Sequence, residues 1–279
     1  MSTSRGVVLA RGLGSRMRAP DPRVQLSAAQ GRAADAGLKA MMPVNGRPFL
    51  DFVLSSLADA GIREVALIVA PDHQALRYHY TTEAPPSRVE LTFLVQQEAL
   101  GTAHAVLAAQ SWARGLPFLT VNGDNLYPPD ALRGLAGLEA PGLCGFEAGD
   151  LVRSGNIPPE RIGAFAVIRV NRDGFLTGII EKPGAPAGPP SDGPPAIAGK
   201  LDALVSMNCW RFDDRIFSAC HDVRRSGRGE FELPEAVALA LQRGVPFTVL
   251  RAGGPVLDLS RRGDAAELER RLRGVLAHP

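Results

Sequence analysis

The chain has 279 residues, 45% hydrophobic and 22% charged, with a formal net charge of +2 at pH 7. This is ordinary globular composition, enough for a substantial core. So small a net charge gives no sign of a polybasic nucleic-acid tail or membrane patch, and any anionic ligand must be held by a local site.

No run is long and apolar enough to cross a bilayer; Val65 to Ala70 has only strand length. The opening MSTSRGVVLARG lacks the apolar core and cleavage signal of a secretory leader. Cys144, Cys209 and Cys220 are widely spaced and form no CxxC pair, which argues against a disulfide framework and a zinc site. The expectation is a cytoplasmic protein with neither nucleic acid nor membrane as partner; whether it forms a homo-oligomer is left open.

Val7 to Ala10 reads as a strand that stops at a glycine-rich turn. Phe49, Phe52, Val53, Leu57 and Ala60 recur at helical spacing, with Gly61 as the stop. Glu64 to Ala70 and Leu91 to Val95 are strands, Thr102 to Ala113 a helix, and Phe118 to Val121 a further apolar strand. Strands alternating with helices predict crossover units and a mostly parallel sheet flanked by helices. Later the character changes. Ile162 to Val170 and Phe175 to Glu181 flank Asn171-Arg172-Asp173-Gly174, whose Asp-Gly signals a hairpin. Pro183 to Lys200, rich in Pro, Gly and Ala, reads as an irregular loop. Leu204 to Phe212 is a strand, and Glu232 to Arg243 and Asp264 to Leu276 are helices. The fold class is therefore α/β, a mixed sheet with antiparallel additions in its C-terminal half.

Leu9-Ala10-Arg11-Gly12-Leu13-Gly14-Ser15-Arg16-Met17 comes directly after the first strand. Glycines let backbone N–H groups approach phosphate oxygens, and the planar fork of Arg16 suits phosphate. The third glycine of a dinucleotide fingerprint is absent, and so is the G-K-[ST] of a Walker loop. By its glycines alone the segment is equally an ordinary tight turn. Leu38-Lys39-Ala40-Met41-Met42-Pro43-Val44, then Gly46-Arg47-Pro48 opening a helix, shift that balance.

Together these segments resemble the sugar-1-phosphate nucleotidyltransferase family, of the glucose-1-phosphate uridylyl- and thymidylyltransferase kind, with its G-x-G-[ST]-R-[ML] turn and later K-x-L-x-P-V. The resemblance implies a Rossmann-like (GT-A-like) fold. It also implies that Leu9, Ala10, Gly12, Gly14 and Ser15 bind nucleotide and that Arg16 and Lys39 are catalytic. Two features depart from the pattern. Arg11 stands where the family has a small residue, and the polar, Ala-rich segment 17–38 is longer than the family's spacing, which suggests a mobile flap over the triphosphate.

Gln96-Gln97-Glu98-Ala99-Leu100-Gly101-Thr102-Ala103-His104-Ala105 joins a strand to a helix, where a side-chain amide and free backbone N–H groups offer the mixed hydrogen bonding a pyrimidine edge requires. It is similar to the family's base-contacting Q-x-x-x-L-G-T-A-x-A, which carries over Gln96, Gly101 and Thr102; His104 is read as structural. Asp124 ends the apolar strand Phe118 to Val121 at the sheet edge where open α/β folds bind ligands, and a hard carboxylate there suits Mg²⁺. The family binds its catalytic magnesium at this G-D and at a late W-x-D, here Pro255-Val256-Leu257-Asp258 without the tryptophan. Asp258 is the second expected metal ligand, and Asp264 is read as a helix N-cap.

On the sugar side, Arg161-Ile162-Gly163-Ala164-Phe165 and Ile180-Glu181-Lys182-Pro183 resemble the family's [RK]-[YF]-G-x-[VI] and E-K-P segments. This implies that Gly163, Glu181 and Lys182 hold the sugar phosphate. Asn208 is added by a similar N-[AT]-G-[IL] strand, where Cys209 replaces glycine and suggests an altered sugar pocket. Gly229 to Ala236 resembles the family's E-[FY]-x-L helix opening.

The resemblance covers positions 7 to about 260 and implies a single domain over 1–279, with nucleotide bound by the half to about 150 and sugar phosphate by the half from 151. The implied reaction joins a nucleoside triphosphate, UTP or dTTP favoured, to a sugar 1-phosphate with Mg²⁺, releasing pyrophosphate and an NDP-sugar. A glycosyltransferase consuming an NDP-sugar would normally carry a D-x-D at a strand end, which is missing. An inactive, ligand-binding regulatory relative of the same fold is the other alternative.

Overall fold

The computed structural model describes residues 2–180 and 201–279. Strands β1 (Arg5–Leu9), β2 (Glu64–Val69), β3 (Glu90–Val95) and β4 (Phe118–Asn122) run parallel in the order β4-β1-β2-β3. Both faces of the two central strands are covered, so their sequences are continuously apolar rather than alternating. The period of two still sorts their side chains. Val8, Val65 and Leu67 enter one apolar cluster with the helix Phe49–Asp59, whereas Val7, Ala66 and Ile68 enter a second, on the opposite face, with the helix Leu233–Gln242.

The rest of the sheet comprises β5 (Gly142–Glu147), β6 (Ala166–Val170), β7 (Leu176–Ile180), β8 (Leu204–Phe212) and β9 (Thr248–Ala252). Among the described residues, nine strands form one sheet in the order β7-β6-β8-β4-β1-β2-β3, with β5 pairing to both β8 and β9. β8 is antiparallel to β4, β5 and β6, which joins the later strands to the parallel half. It serves three neighbours by bending: Val205 and Ser206 pair with β6, Trp210 to Phe212 pair with β4, and the register against β5 shifts between Ser206 and Trp210. Asn208 stands at that break with φ 56°, a left-handed conformation that asparagine tolerates better than most residues.

The expected hairpin joins β6 to β7, and Asn171 Oδ1 accepts from the backbone N–H groups of Asp173 and Phe175 across the Asp-Gly turn. Several boundaries differ from expectation. The helix expected over Thr102 to Ala113 is two pieces, Thr102–Leu107 and Gln110–Ala113. Residues before β6 form a 3-10 turn, Pro159–Ala164, capped by Pro158 and opened by Pro159, whose fixed φ and missing N–H suit a first helical position. The last helix ends at Arg271. The expected flap is instead built around a helix, Ala28–Ala36, opened by a reciprocal Ser27–Gln30 capping box and closed by Gly37 at φ 71°. Its Gln30 also donates to Glu269, tying the segment to the C-terminal helix. The loop expected at Pro183 to Lys200 lies outside the described residues.

Candidate active site

A cavity of about 420 Å³ opens where β1 to β4 end, the edge at which open α/β sheets bind ligands. The turn after β1 forms one wall, with Leu9, Ala10, Gly12, Gly14, Ser15 and Arg16 all lining the cavity. Gly14 takes φ 63°, and a Cβ there would lie 2.7 Å from Gly37 Cα. A Cβ on Gly37 would in turn meet Leu13 O at 2.6 Å. Two glycines back to back thus bring the phosphate-type turn against the chain just before Lys39. Sequence reasoning passes over Gly37, whose partner is remote in sequence.

Lys39 begins a short 3-10 turn, and its Nζ donates to Asp124 Oδ2 at 2.7 Å. Asp124 sits in the two-residue turn that leaves β4. Both side chains line the cavity and keep 19% and 26% of their surface exposed, so the pair remains open to an incoming ligand. The chain after Asp124 forms a ribbon, Asn125–Leu126, antiparallel to Leu257–Asp258, and Asp258 pairs in register with Asn125. Leu259 N–H also donates to Asp124 O at 2.9 Å. Asp124 and Asp258 therefore approach one another through backbone pairing.

Their surroundings differ. Asp258 is 4% exposed. Its Oδ1 accepts from Asn125 Nδ2 and Ser260 Oγ, at 3.0 and 3.1 Å, and its Oδ2 is paired with Arg161 Nη2. Arg161 bridges onward from Nη1 to Asp264 at 3.0 Å. Asp264 is the first residue of its helix, not the cap; its carboxylate accepts the backbone N–H groups of Ser260 and Arg261. A hard divalent cation bound by one or two carboxylates and substrate phosphates fits Asp124, which faces the cavity. Asp258 and Arg161 line the same cavity, but both oxygens of Asp258 already have partners. No cluster of three or more His, Cys, Asp or Glu side chains suited to a metal occurs among the described residues.

At the far end of the cavity, Gln96 comes just after β3. Its Nε2 donates to Gly101 O and approaches His104 Nδ1, both at 3.0 Å. Gly101 takes φ 106°, and a Cβ there would meet Phe231 O at 2.5 Å. Thr102 Oγ1 accepts Leu233 N–H at 2.9 Å, while Ala103 N–H donates to Phe231 O. The Glu230-Phe231-Glu232-Leu233 segment is therefore clamped onto the chain around Gly101. His104 supports Gln96, which fits its structural reading.

Residues 34–253 match the nucleotidyl transferase family. The chain belongs to that family. Among its relatives is the UTP–glucose-1-phosphate uridylyltransferase AglF of Haloferax volcanii, 28% identical over 270 residues and matched over 96% of each chain. A glucose-1-phosphate thymidylyltransferase of an Actinoplanes species is 27% identical over 261 residues, covering 93% of this chain and 75% of its own length. Against other, longer relatives the chain spans 58% or 41% of their length. A UDP-glucose pyrophosphorylase solved with UDP-glucose superposes with a TM-score of 0.72, covering 97% of this chain and 98% of that one at 16% identity, which shows a shared fold.

In this nucleotidyl transferase the C-terminal half closes the cavity with Ser206 and Asn208 of β8 and with Ala164 to Ala166. Asn208 Oδ1 accepts from Trp210 Nε1 at 3.2 Å, and its backbone N–H donates to Ser206 Oγ, so its orientation is fixed locally. Gly163 is absent from the cavity lining, although the residues on its C-terminal side contribute. Cys209, expected to alter the sugar pocket, is fully buried in the core cluster that holds Cys144 and Tyr127 and does not line the cavity. Glu181 and Lys182 lie outside the described residues. Arg161, which in the sequence is only one letter of a strand motif, proves to be the partner of Asp258, a role no local signal announces.

No described helix is long and apolar enough to cross a membrane.

Proposed function

We propose that the protein is a sugar-1-phosphate nucleotidyltransferase that joins UTP or dTTP to a sugar 1-phosphate, releasing pyrophosphate. The observation that carries this reading is the cavity that collects the glycine turn, Lys39, Asp124, Gln96 and Asn208. A nucleotide would lie across the ends of the parallel strands, its phosphates on the turn after β1 and its base toward Gln96. The sugar phosphate would enter from the β8 side, near Asn208, with Glu181 and Lys182 assigned to it by resemblance alone.

The sugar phosphate is already anionic, so little proton transfer is needed. It attacks the α-phosphorus in line, the new P–O bond forms as the bond to the β-phosphate oxygen breaks, and pyrophosphate carries away that electron pair. The chain's task is to hold two anions together and to neutralise charge as it grows on the reacting phosphates. The turn supplies backbone N–H groups; Arg16 and Lys39 supply fixed cations. Lys39 waits on Asp124 and is drawn toward the phosphates when they arrive. Asp124 would hold Mg²⁺, which when bound would supply further neutralisation of phosphate charge.

The test is pyrophosphate release measured with Mg²⁺ over five nucleoside triphosphates and a panel of sugar 1-phosphates. Release that requires both substrates and is fastest with UTP or dTTP is the expected result. Nucleotide binding without release from any pair would favour a regulatory relative instead.

A further inference from the structure

Arg11 occupies the turn after β1, yet its side chain does not face the phosphate end. Nε and Nη2 each lie 3.3 Å from a carbonyl, those of Gln96 and Gln97, just beyond β3. The guanidinium thus reaches from the turn after β1, across β2, to the chain just beyond β3.

The two contacts use one edge of the guanidinium. Nη1 is buried and has no hydrogen-bond partner, and among the described residues no carboxylate pairs with Arg11. A buried guanidinium N–H without an acceptor is costly. A second such atom lines the same cavity: His73 Nδ1, on the chain beyond β2, is also buried and unpartnered. Two residues of this cavity thus carry buried, unpartnered polar atoms, one a donor only and one on a ring that donates or accepts according to its tautomer.

We propose that Arg11 reads the nucleobase, its Nη1 donating to an exocyclic carbonyl oxygen of the base. Uracil, thymine, cytosine and guanine carry such an oxygen, and adenine does not. The assignment rests on the nucleotidyltransferase reading and adds a selecting residue to it. His73 lines the same cavity, while Gln96, held by Gly101 and His104, keeps the carbonyls that brace Arg11 in place.

The test is equilibrium binding of ATP, CTP, GTP, UTP and dTTP, without sugar phosphate, to the wild type and to Arg11→Ala. Arg11→Met, which keeps the apolar stem and removes every donor, serves as the second variant should the shorter side chain unsettle the turn; thermal melting reports folding of both. The expected result is a loss of about tenfold to a hundredfold for UTP and dTTP, the scale of a charge-assisted hydrogen bond, with ATP changed by less than about threefold on the same scale. Preference for oxo bases over adenine would then collapse. An equal loss for all five nucleotides would overturn the proposal, because Arg11 would only be bracing the 96–97 carbonyls. Unchanged affinity would overturn it as well. If the wild type binds no nucleotide, the nucleotidyltransferase reading fails first and this assignment falls with it.

Discussion

Two ion pairs stand at the ends of neighbouring chain segments in this molecule, and they are built for opposite purposes. Lys39–Asp124 is half-open, with about a fifth to a quarter of each side chain exposed to the cavity (19% and 26%). Arg161–Asp258 is closed, at 9% and 5%, and is extended to Asp264 on one side and to Asn125 and Ser260 on the other. An open pair in high dielectric contributes little to folding, and its charges can be redirected toward a ligand. A closed pair is hard to dissolve, because either charge left alone would stay buried. The two pairs thus divide into one whose charges a ligand can reach and one that holds the ribbon beside it.

The largest expected effect tests the closed pair. Arg161→Ala leaves Asp258 and Asp264 without their cation and should lower folding stability by about 3–5 kcal/mol, read by urea denaturation. Asp258→Asn, which keeps an acceptor for Asn125 and Ser260, should cost less. A loss no larger than an exposed pair gives would mean that the two pairs are alike and that Asp258 is free to serve a metal. The open pair should behave in reverse. Lys39→Ala should change stability by no more than about 1 kcal/mol while reducing turnover by about 10²–10³-fold, the cost of removing one charge-stabilising group. Asp124→Ala should lose turnover comparably, with pyrophosphate release as the readout. Lys39→Ala with full turnover would remove that residue from the chemistry.

Legibility in the sequence obeys the same division between local and remote causes. β1 to β4 are readable because their apolar runs end in turn residues, and the Asp-Gly hairpin is written in four consecutive residues. β5 and β9 are not. Gly142 and Gly145 of β5 look like loop signals, yet a Cβ on Gly142 would meet Thr248 O of β9 at 2.6 Å, and one on Gly145 would meet Ile168 of β6 at 2.9 Å. Those glycines mark close strand packing, not a turn. The glycine turn, Gln96 and Asp124 can be found in the sequence because each sits in a short motif at a strand end, and Lys39 because it sits in a short motif that opens a 3-10 turn. Arg161 and Asp258 are 97 positions apart, and only the folded ribbon shows that they meet. Cys209 misleads for a related reason: strand position alone does not say which face of a bent strand a side chain takes.

The glycines of the turn sharpen the comparison at the next scale down. Gly14→Ala forces a positive φ and a clash with Gly37, and should cost about 1–3 kcal/mol while weakening nucleotide binding through the displaced turn. Gly12→Ala, where an added Cβ meets nothing within 4 Å, should leave stability within about 0.5 kcal/mol. Equal penalties at the two positions would show that the turn does not depend on its seat against Gly37.

The smallest expected effect lies at the base end. Burial holds the His73 imidazole below its usual pKa of 6.5; Asp72 opposes that shift, and Arg11 and Arg77 add to it. Because the folded value is depressed, the unfolded chain binds the proton first as the pH falls. Stability from the neutral ring is therefore fully present above 6.5 and is lost as the pH drops below it. Melting temperatures of the wild type should decline between about pH 7.5 and 5.5 more steeply than those of His73→Gln, which has no proton to take up. Parallel declines would place His73 in water, and its unpartnered Nδ1 could then no longer be counted as part of a dry base-binding edge. The base end would in that case resemble the open pair at Asp124, accessible and solvated, and Arg11 would have to select its base against competing water.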